Sequence, residues 1–237
     1  KALDIKLKKN KKIKIGYLSN NFVFHPVSFL ISKVIEIHNR SEFEIHGYSI
    51  NPIEDEVTKK IAKSFDSFKN ISNESDDLAN KKIREDNLDI VIDLMGYTTG
   101  SRMGILSKRA APIQISYLAY PSTTGSDQID YIIADKNIIP QNKKSFYTEK
   151  VVYLPKTFIC FDDSTKISKN YQPNQFANRN NNSFILVGFH KVEKLNLSTI
   201  NCWITIMSKI ENSYLWLKQP NKIAKKNLLD FFEAKNI

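Results

Sequence analysis

The sequence predicts an α/β protein in which helices cover both faces of a parallel sheet. Short runs rich in Ile, Val and Leu, which are typical of buried strands, alternate with segments whose apolar residues recur at helical spacing. Residues 163–182 are polar and rich in Asn, and the alternation begins again after them. We therefore expect two α/β units joined by a linker.

The elements of the first unit follow from these patterns in chain order. Strands are predicted for KIKIGYLS, FEIHGYSI, DIVIDLMG, IQISYLAY, DYIIADK and KVVYLPKTF, because each is a short run dominated by apolar residues. Helices are predicted for SFLISKVIEIH, VTKKIAKSF and DLANKKIRE, which space their apolar residues by three and four.

The second unit is predicted from four further segments. SFILVGF and SYLWLK are expected to be strands, and LSTINCWITIMSKI and AKKNLLDFFEAK to be helices. Four elements are too few for a closed doubly wound domain, because their sheet would keep an exposed edge and uncovered apolar faces. The second lobe is therefore expected to be incomplete.

The composition limits the classes of function. The 237 residues are 41% hydrophobic and 11% aromatic, which is enough for a globular core. The net charge of +10 invites a nucleic-acid interpretation, but lysines are scattered, and the only dense run is KLKKNKKIK at residues 6–14. Since no basic stripe is interleaved with aromatic residues, we do not expect nucleic-acid binding.

The cellular setting is predicted to be the cytoplasm. No apolar run is long enough to span a bilayer, and the N-terminus lacks the pattern of a secretory signal, so no membrane association is expected. The two cysteines, Cys160 and Cys202, are far apart and lack metal-ligand spacing, which indicates a reducing compartment. The sequence does not begin with Met, as expected for a piece of a longer chain.

His25 lies at a predicted junction of strand and helix, in GYLSNNFVFHPVSFL. An imidazole can take a proton from a hydroxyl near neutral pH, so His25 could be a general base. It could equally cap the helix or pack against it, and the residues alone favour this second interpretation.

The segment DIVIDLMGYTTG supplies further candidate site residues. Gly96, Tyr97 and Thr98 end a predicted strand, at the carboxyl edge where open parallel sheets bind ligands, although GYTTG would also serve as a plain turn. Within that strand, Asp93 could orient His25 or a water, or it could simply bond backbone groups of the sheet.

The block APIQISYLAYPSTTG ends in a loop whose hydroxyls and N–H groups would suit a sugar or an acceptor backbone. Its candidate binding residues are Tyr120, Pro121, Thr123 and Thr124. An architectural role is the alternative for this loop, since Pro121 fixes φ and Gly125 permits an unusual turn. For Pro112 and Gln114 we expect architecture alone.

Six segments in consistent order resemble the catalytic region of the O-GlcNAc transferase and SPINDLY family of glycosyltransferases. They are GYLSNNFVFHPVSFL, DIVIDLMGYTTGSR, RAAPIQISYLAYPSTTG, DYIIADK, YTEKVVYLPKTF and LVGFHKVEKLNLSTINCW, and the resemblance covers about residues 11–237. It implies a fold of the glycosyltransferase-B type, with two Rossmann-like lobes. Acceptor contacts would lie mainly on the first lobe and sugar-nucleotide contacts mainly on the second.

The resemblance also implies a division of the chain. The expected parts are a basic N-terminal segment, interpreted as the tail of a helical repeat region (1–12), a catalytic lobe (13–162), a linker (163–182) and the start of a nucleotide-sugar-binding lobe (183–237).

Site roles follow from the same resemblance. His25 matches a family histidine beside the anomeric carbon, as a base or as a group that orients the sugar. Thr98 would contact the donor sugar, and Gly96 would let the backbone approach it. Lys194 would neutralise the diphosphate as the sugar–phosphate bond breaks, and Lys191 could meet a phosphate.

The expected function is inverting transfer of a sugar to Ser or Thr hydroxyls of proteins. The donor would be a nucleotide sugar. UDP-GlcNAc is the expected one, although the family also includes members that use GDP-fucose. No cofactor and no metal are expected, since Asp and His do not cluster at ligand spacing. The 237 residues alone are expected to be inactive or nearly so, because they stop before the later second-lobe segments with which the family grips the base and ribose.

A non-catalytic relative that serves as a protein-binding module is the alternative. Its support is departure from the family pattern at three positions. Phe29 stands where the family often has a second histidine, and His190 and Lys191 stand where it often has Asn or Gln.

Overall fold

The computed structural model describes residues 12–164, 183–218 and 220–235. These residues divide into two compact units, one up to residue 164 and one from residue 183. The expected basic segment 1–12 and the expected linker 163–182 lie almost entirely outside the described residues, so both remain predictions.

The first unit is built on a sheet of seven parallel strands in the order β3-β2-β1-β4-β5-β6-β7. The strands are β1 (Ile13–Ser19), β2 (Phe43–Ser49), β3 (Ser67–Asn70), β4 (Ile90–Asp93), β5 (Ile113–Ser116), β6 (Tyr131–Ala134) and β7 (Lys150–Tyr153). The helices are α1 (Pro26–Glu36), α2 (Glu56–Ala62) and α3 (Asp76–Glu85). The strand order reverses between β1 and β4, which are neighbours at the centre of the sheet.

Apolar side chains cover both faces of this sheet, as the strand pattern predicted. On β1, Ile15 and Tyr17 point to a core shared with Ile31 of α1. Leu18 points to the other face, where the core includes Ile83 of α3. Side chains on both faces of the strand are therefore buried, which explains why runs rich in apolar residues mark the strands.

The helices begin where polar side chains satisfy their first N–H groups. Asp55 and Thr58 form a reciprocal capping box at α2, and Ser75 caps α3 by accepting from the Leu78 N–H. In α3 two acidic residues in the first turn and two basic residues in the last turn also suit the helix dipole.

Several elements differ from the predicted ones. β5 was predicted to run to Tyr120 but ends at Ser116, and β7 was predicted to run to Phe158 but ends at Tyr153. β3 was not predicted, because its only apolar side chain is Phe68 and it lies at the edge of the sheet. β4 was predicted to run to Gly96 but ends at Asp93, since the carboxylate of Asp93 bonds the backbone of the next residues and turns the chain out of the sheet.

The second unit contains the four predicted elements. They are β8 (Phe184–Gly188), α4 (Leu197–Met207), β9 (Ser213–Leu217) and α5 (Lys222–Glu233), and β8 pairs with β9 in parallel. Asn196 and Asn221 cap the two helices. Among the described residues, no helix is both long and apolar enough to cross a membrane.

Candidate active site

The candidate site of the first unit lies where β1 and β4 end side by side. In open parallel sheets this switch point of the strand order is where ligands bind. The β1 loop (residues 20–25) and the β4 loop (residues 94–102) meet there. Ser19 Oγ donates to Met95 Sδ at 3.6 Å, and a Cβ on Gly100 would lie 2.4 Å from Asn20 Nδ2, so the two loops are in close contact.

His25 is the N-cap of α1. Its Nδ1 accepts a 3.2 Å hydrogen bond from the backbone N–H of Val27, and Pro26 follows as the first helical residue. The interpretation of His25 as a helix cap is therefore correct. Because Nδ1 is an acceptor, the neutral ring carries its proton on Nε2, and in that tautomer Nε2 is a hydrogen-bond donor.

Asp93 holds the start of the β4 loop. Its side chain is 2% exposed, and its two oxygens accept hydrogen bonds from the N–H groups of Met95 at 3.0 Å and Gly96 at 2.8 Å. Burial raises the pKa of Asp93 to about 6, against the effect of these two bonds. The predicted backbone-bonding role is thus present, and orientation of His25 remains a prediction.

Position 96 requires glycine, both because of its backbone conformation and because the Tyr120 side chain lies against it. Its φ is +53°, and a Cβ would lie 2.4 Å from Cβ of Tyr120. Tyr120 thus occupies the space that any side chain at position 96 would need. Next to it, the half-buried Thr98 donates its hydroxyl hydrogen to the Met95 carbonyl at 2.8 Å. Contact of Gly96 or Thr98 with a sugar remains a prediction.

The β5 loop (residues 117–125) contains the predicted PSTTG segment and is joined to the β4 loop. The Tyr97 ring packs edge-on against Tyr120 with centroids 5.7 Å apart, and the Tyr97 hydroxyl donates to the Thr124 carbonyl at 3.0 Å. A second tyrosine, Tyr147, donates its hydroxyl to the Pro121 carbonyl at 3.0 Å.

Sequence reasoning missed one residue of this region, Glu149. The hydroxyls of Thr123 and Thr124 both donate to its carboxylate, so the hydrogens that were expected to face a substrate are directed into the protein. Binding by these two threonines remains a prediction that would have to use other groups. Glu149 stands directly before β7, in the YTEK part of a segment that carries the family resemblance, but an acidic residue beside a strand usually indicates a solvated position.

The architectural role expected for Gln114 agrees with its environment. Gln114 is fully buried, and its amide nitrogen donates to the carbonyls of Leu106 at 3.0 Å and Gln128 at 2.6 Å. Its amide oxygen accepts from the Ala110 N–H at 2.8 Å. Such a satisfied buried amide orients the chain that leads into β5.

The two candidate lysines belong to the second unit. Lys191 and Lys194 lie at either end of a single 3₁₀ turn just before α4, and both are exposed. The Lys194 N–H donates to the Lys191 carbonyl at 3.0 Å, which fixes their spacing. Phosphate contact by either side chain remains a prediction.

Side chains suited to hold a metal do not gather in the described ranges: no three residues among His, Cys, Asp and Glu lie close enough together there. The candidate groups of the first unit are hydroxyls, backbone N–H groups, the imidazole of His25 and the carboxylate of Asp93, and those of the second unit are the ammonium groups of Lys191 and Lys194.

Comparison with solved structures identifies the fold as the glycosyltransferase-B type. A mutant of the O-GlcNAc transferase of Thermobaculum terrenum superposes with a TM-score of 0.82 at 24% identity, covering 96% of this chain and 43% of that one. At this identity the likeness establishes the fold alone.

The family follows from the sequence comparisons. The model of glycosyl transferase family 41 matches residues 2–175, so the chain belongs to that family. The resemblance stated from the motifs is thereby confirmed.

Named relatives agree with this assignment. The probable UDP-N-acetylglucosamine–peptide N-acetylglucosaminyltransferase SEC of Arabidopsis thaliana is 34% identical over 213 residues, 87% of this chain. The UDP-N-acetylglucosamine–peptide N-acetylglucosaminyltransferase of Caenorhabditis elegans is 36% identical over 155 residues, 64% of this chain. The chain spans 22% of the length of the first relative and 13% of the second.

Proposed function

We propose that the chain is part of the catalytic region of an inverting protein O-glycosyltransferase. It would move N-acetylglucosamine from UDP-GlcNAc to Ser or Thr hydroxyls of proteins, in the cytoplasm. The observation that carries the proposal is that the family match includes the whole first unit, whose His25 and Thr98 are at the sheet edge that parallel folds use for ligands. The donor is supported by the names of the relatives, which are UDP-N-acetylglucosamine–peptide N-acetylglucosaminyltransferases.

His25 would orient the reacting groups through Nε2–H. Its Nδ1 is occupied as the acceptor of the Val27 N–H, so the neutral ring presents a donor and not a base at Nε2. To take a proton at Nε2, the ring would first have to move its own proton to Nδ1 and lose the cap. The geometry therefore favours positioning over proton abstraction.

The β4 loop would hold the donor sugar. Thr98 keeps its lone pairs available while its hydrogen is used on Met95, so toward a sugar it would act as an acceptor. The acceptor hydroxyl attacks the anomeric carbon as the sugar–phosphate bond breaks, and negative charge develops on the departing diphosphate. Lys194, with Lys191 nearby, would stabilise that charge, so no metal or cofactor is invoked.

A protein-binding module without catalysis is the second candidate. Phe24 and Phe29 flank His25 and are 79% and 48% exposed, with ring centroids 5.3 Å apart. Exposed paired aromatic rings are typical of protein-contact surfaces. Phe29 also replaces a histidine that the family often carries.

Transfer of radiolabelled N-acetylglucosamine from UDP-GlcNAc to a Ser/Thr-containing protein acceptor tests the proposal, with the complete gene product. We expect transfer, and a loss of about 10²-fold or more on Lys194→Met, since the loss of one fixed group that stabilises charge has that scale. Lys209→Met is the matched control, because Lys209 is an exposed lysine of the same unit beyond the end of α4. No transfer with UDP-GlcNAc or GDP-fucose would favour the binding module.

A further inference from the structure

Glu149 is a buried carboxylate that has no basic partner among the residues that the structure describes. It is 3% exposed, and within the described ranges no lysine, arginine or histidine forms an ion pair with it. Burying a carboxylate without a cation is costly unless hydrogen-bond donors surround it. The donors that offset this cost indicate what Glu149 holds in place.

All the donors come from two short segments that meet at Glu149. Thr124 donates its N–H to Oε1 at 2.7 Å and its hydroxyl to the same oxygen. Thr123 donates its hydroxyl to Oε2 at 2.8 Å, and Thr148 donates its hydroxyl to Oε2 at 3.2 Å. Burial alone would raise the pKa of Glu149, but the bonds from Thr124 and Thr123 outweigh it, and the pKa lies below its ordinary value.

The Thr123 hydroxyl also fixes the backbone around it. While donating to Glu149, its oxygen accepts from the N–H of Gly125 at 3.1 Å and from the N–H of Thr148 at 3.3 Å. The conformation of residues 123–125 therefore depends on one carboxylate beneath them. Reorienting that hydroxyl would leave the N–H groups of Gly125 and Thr148 with poorer partners.

The β5 loop in turn supports the β4 loop. Thr124, whose N–H binds Glu149, accepts the Tyr97 hydroxyl on its carbonyl, and Tyr97 adjoins Gly96 and Thr98. Tyr120 of the same β5 loop fills the space over Gly96. A continuous set of contacts thus runs from Glu149 through Thr124 and Tyr97 to the residues expected to hold the sugar.

We propose that Glu149 is a positioning residue, whose carboxylate fixes the β5 loop and, through Tyr97, sets the shape of the β4 loop before substrate binds. The proposal rests on the proposed transferase function for its effect on catalysis. Glu149 itself would touch no reacting atom. It lowers the cost of organising the site, because the loops need not be ordered at the time of binding.

Amide hydrogen exchange tests the physical part of this proposal without any activity. In Glu149→Gln, one oxygen acceptor becomes an N–H donor that faces hydroxyl and N–H donors. We expect exchange of the amides of residues 123–125 and 95–98 to be about tenfold faster or more, with exchange in β1 and β4 unchanged. Tyr97→Phe, which leaves Glu149 fully bonded, should accelerate residues 95–98 alone and keeps the test available if Glu149→Gln fails to fold.

Asp135→Asn is the matched control. Asp135 is 5% exposed and accepts the N–H groups of Asn137, Ile138 and Phe158, so it is a buried carboxylate of similar kind outside the candidate site. It should leave exchange of residues 95–98 and 123–125 unchanged. Unchanged exchange of residues 95–98 in Glu149→Gln would overturn the proposal.

Kinetics of the complete gene product test the catalytic part. Glu149→Gln should lower kcat/KM for sugar transfer about tenfold or more, while Asp135→Asn should not, when both are compared at equal folded fraction. Faster loop exchange with unchanged transfer would overturn the positioning role and leave the proposed function intact. If the wild-type protein transfers no sugar, the proposed function fails, and the exchange of residues 95–98 still decides whether Glu149 holds both loops.

Discussion

The hydroxyl of Tyr97 donates a 3.0 Å hydrogen bond to the carbonyl oxygen of Thr124, and so joins two loops that follow neighbouring strands of the sheet. The Tyr97 ring is 56% exposed, yet its hydroxyl and its edge are both engaged, by Thr124 and Tyr120. Tyr97 is therefore a fixed part of the wall of the candidate site.

Removing this hydroxyl tests the link. Tyr97→Phe should lower the free energy of unfolding by about 1 kcal/mol, the usual net worth of one hydrogen bond, as measured by urea denaturation. Tyr120→Phe is the control, because the Tyr120 hydroxyl makes no hydrogen bond with a residue that the structure describes, while its ring is the other member of the same ring pair. Equal stability of the two variants would contradict the assigned bond.

A comparison of Gly96 with Gly125 measures the steric clash between a side chain at position 96 and Tyr120. Both have positive φ, +53° and +63°, so alanine at either position costs about 1 kcal/mol in backbone strain. At Gly96 a Cβ also meets Tyr120, whereas at Gly125 nothing lies within 4 Å. We expect Gly96→Ala to be the more destabilising by about 1–3 kcal/mol in urea denaturation. Similar losses would mean that Tyr120 moves aside without cost.

Two substitutions separate the cap from the chemistry at His25. Asparagine is a good N-cap, so His25→Asn should keep the unfolding free energy within about 0.5 kcal/mol of the wild type, while His25→Ala should lose about 1 kcal/mol. Both should lower sugar transfer by about 10²-fold or more if Nε2–H orients the reacting groups. Sugar transfer by His25→Asn at the wild-type rate would show that His25 acts only as a helix cap.

The raised pKa of Asp93 predicts that the stability of the protein depends on pH. Its pKa is raised by burial to about 6 in the folded protein, against an ordinary value near 3.8. The folded state therefore binds the proton more tightly, and the contribution to stability is present below about pH 4 and lost as pH rises through about 6. Relative to Asp93→Asn, the unfolding free energy of the wild type should fall by roughly 2 kcal/mol between pH 4 and 7. A difference that does not change with pH would refute the raised pKa.

Much of the fold could be predicted because the central strands β1, β2 and β4 are buried on both faces and the other strands, β3 apart, are rich in apolar residues. Continuous apolar runs marked β1, β2 and β4 to β9, and regular spacing marked the helices. β3 escaped because an edge strand with one apolar side chain, Phe68, has no such pattern. The end of β4 was misplaced because the bonds of Asp93 to Met95 and Gly96 depend on a turn that the apolar run DIVIDLM conceals.

The candidate site was predictable in position but not in its internal bonding. The GYTTG and PSTTG segments follow strands, and this placed Thr98 and Thr124 at the carboxyl edge of the sheet. Which hydroxyls face outward depends on a partner elsewhere in the chain. For Thr123 and Thr124 that partner is Glu149, about 25 residues away, and no local pattern links them.

The pairing of β1 with β4 at the centre of the sheet has a consequence for folding. The backbone N–H of Lys14 reaches the Asp89 side chain across 75 residues, so the chain between them must close a long loop before the central strands pair. Sheets dominated by such distant contacts fold in milliseconds to seconds, far more slowly than helical bundles. We therefore expect the edge where the β1 and β4 loops meet to form only after this long loop has closed.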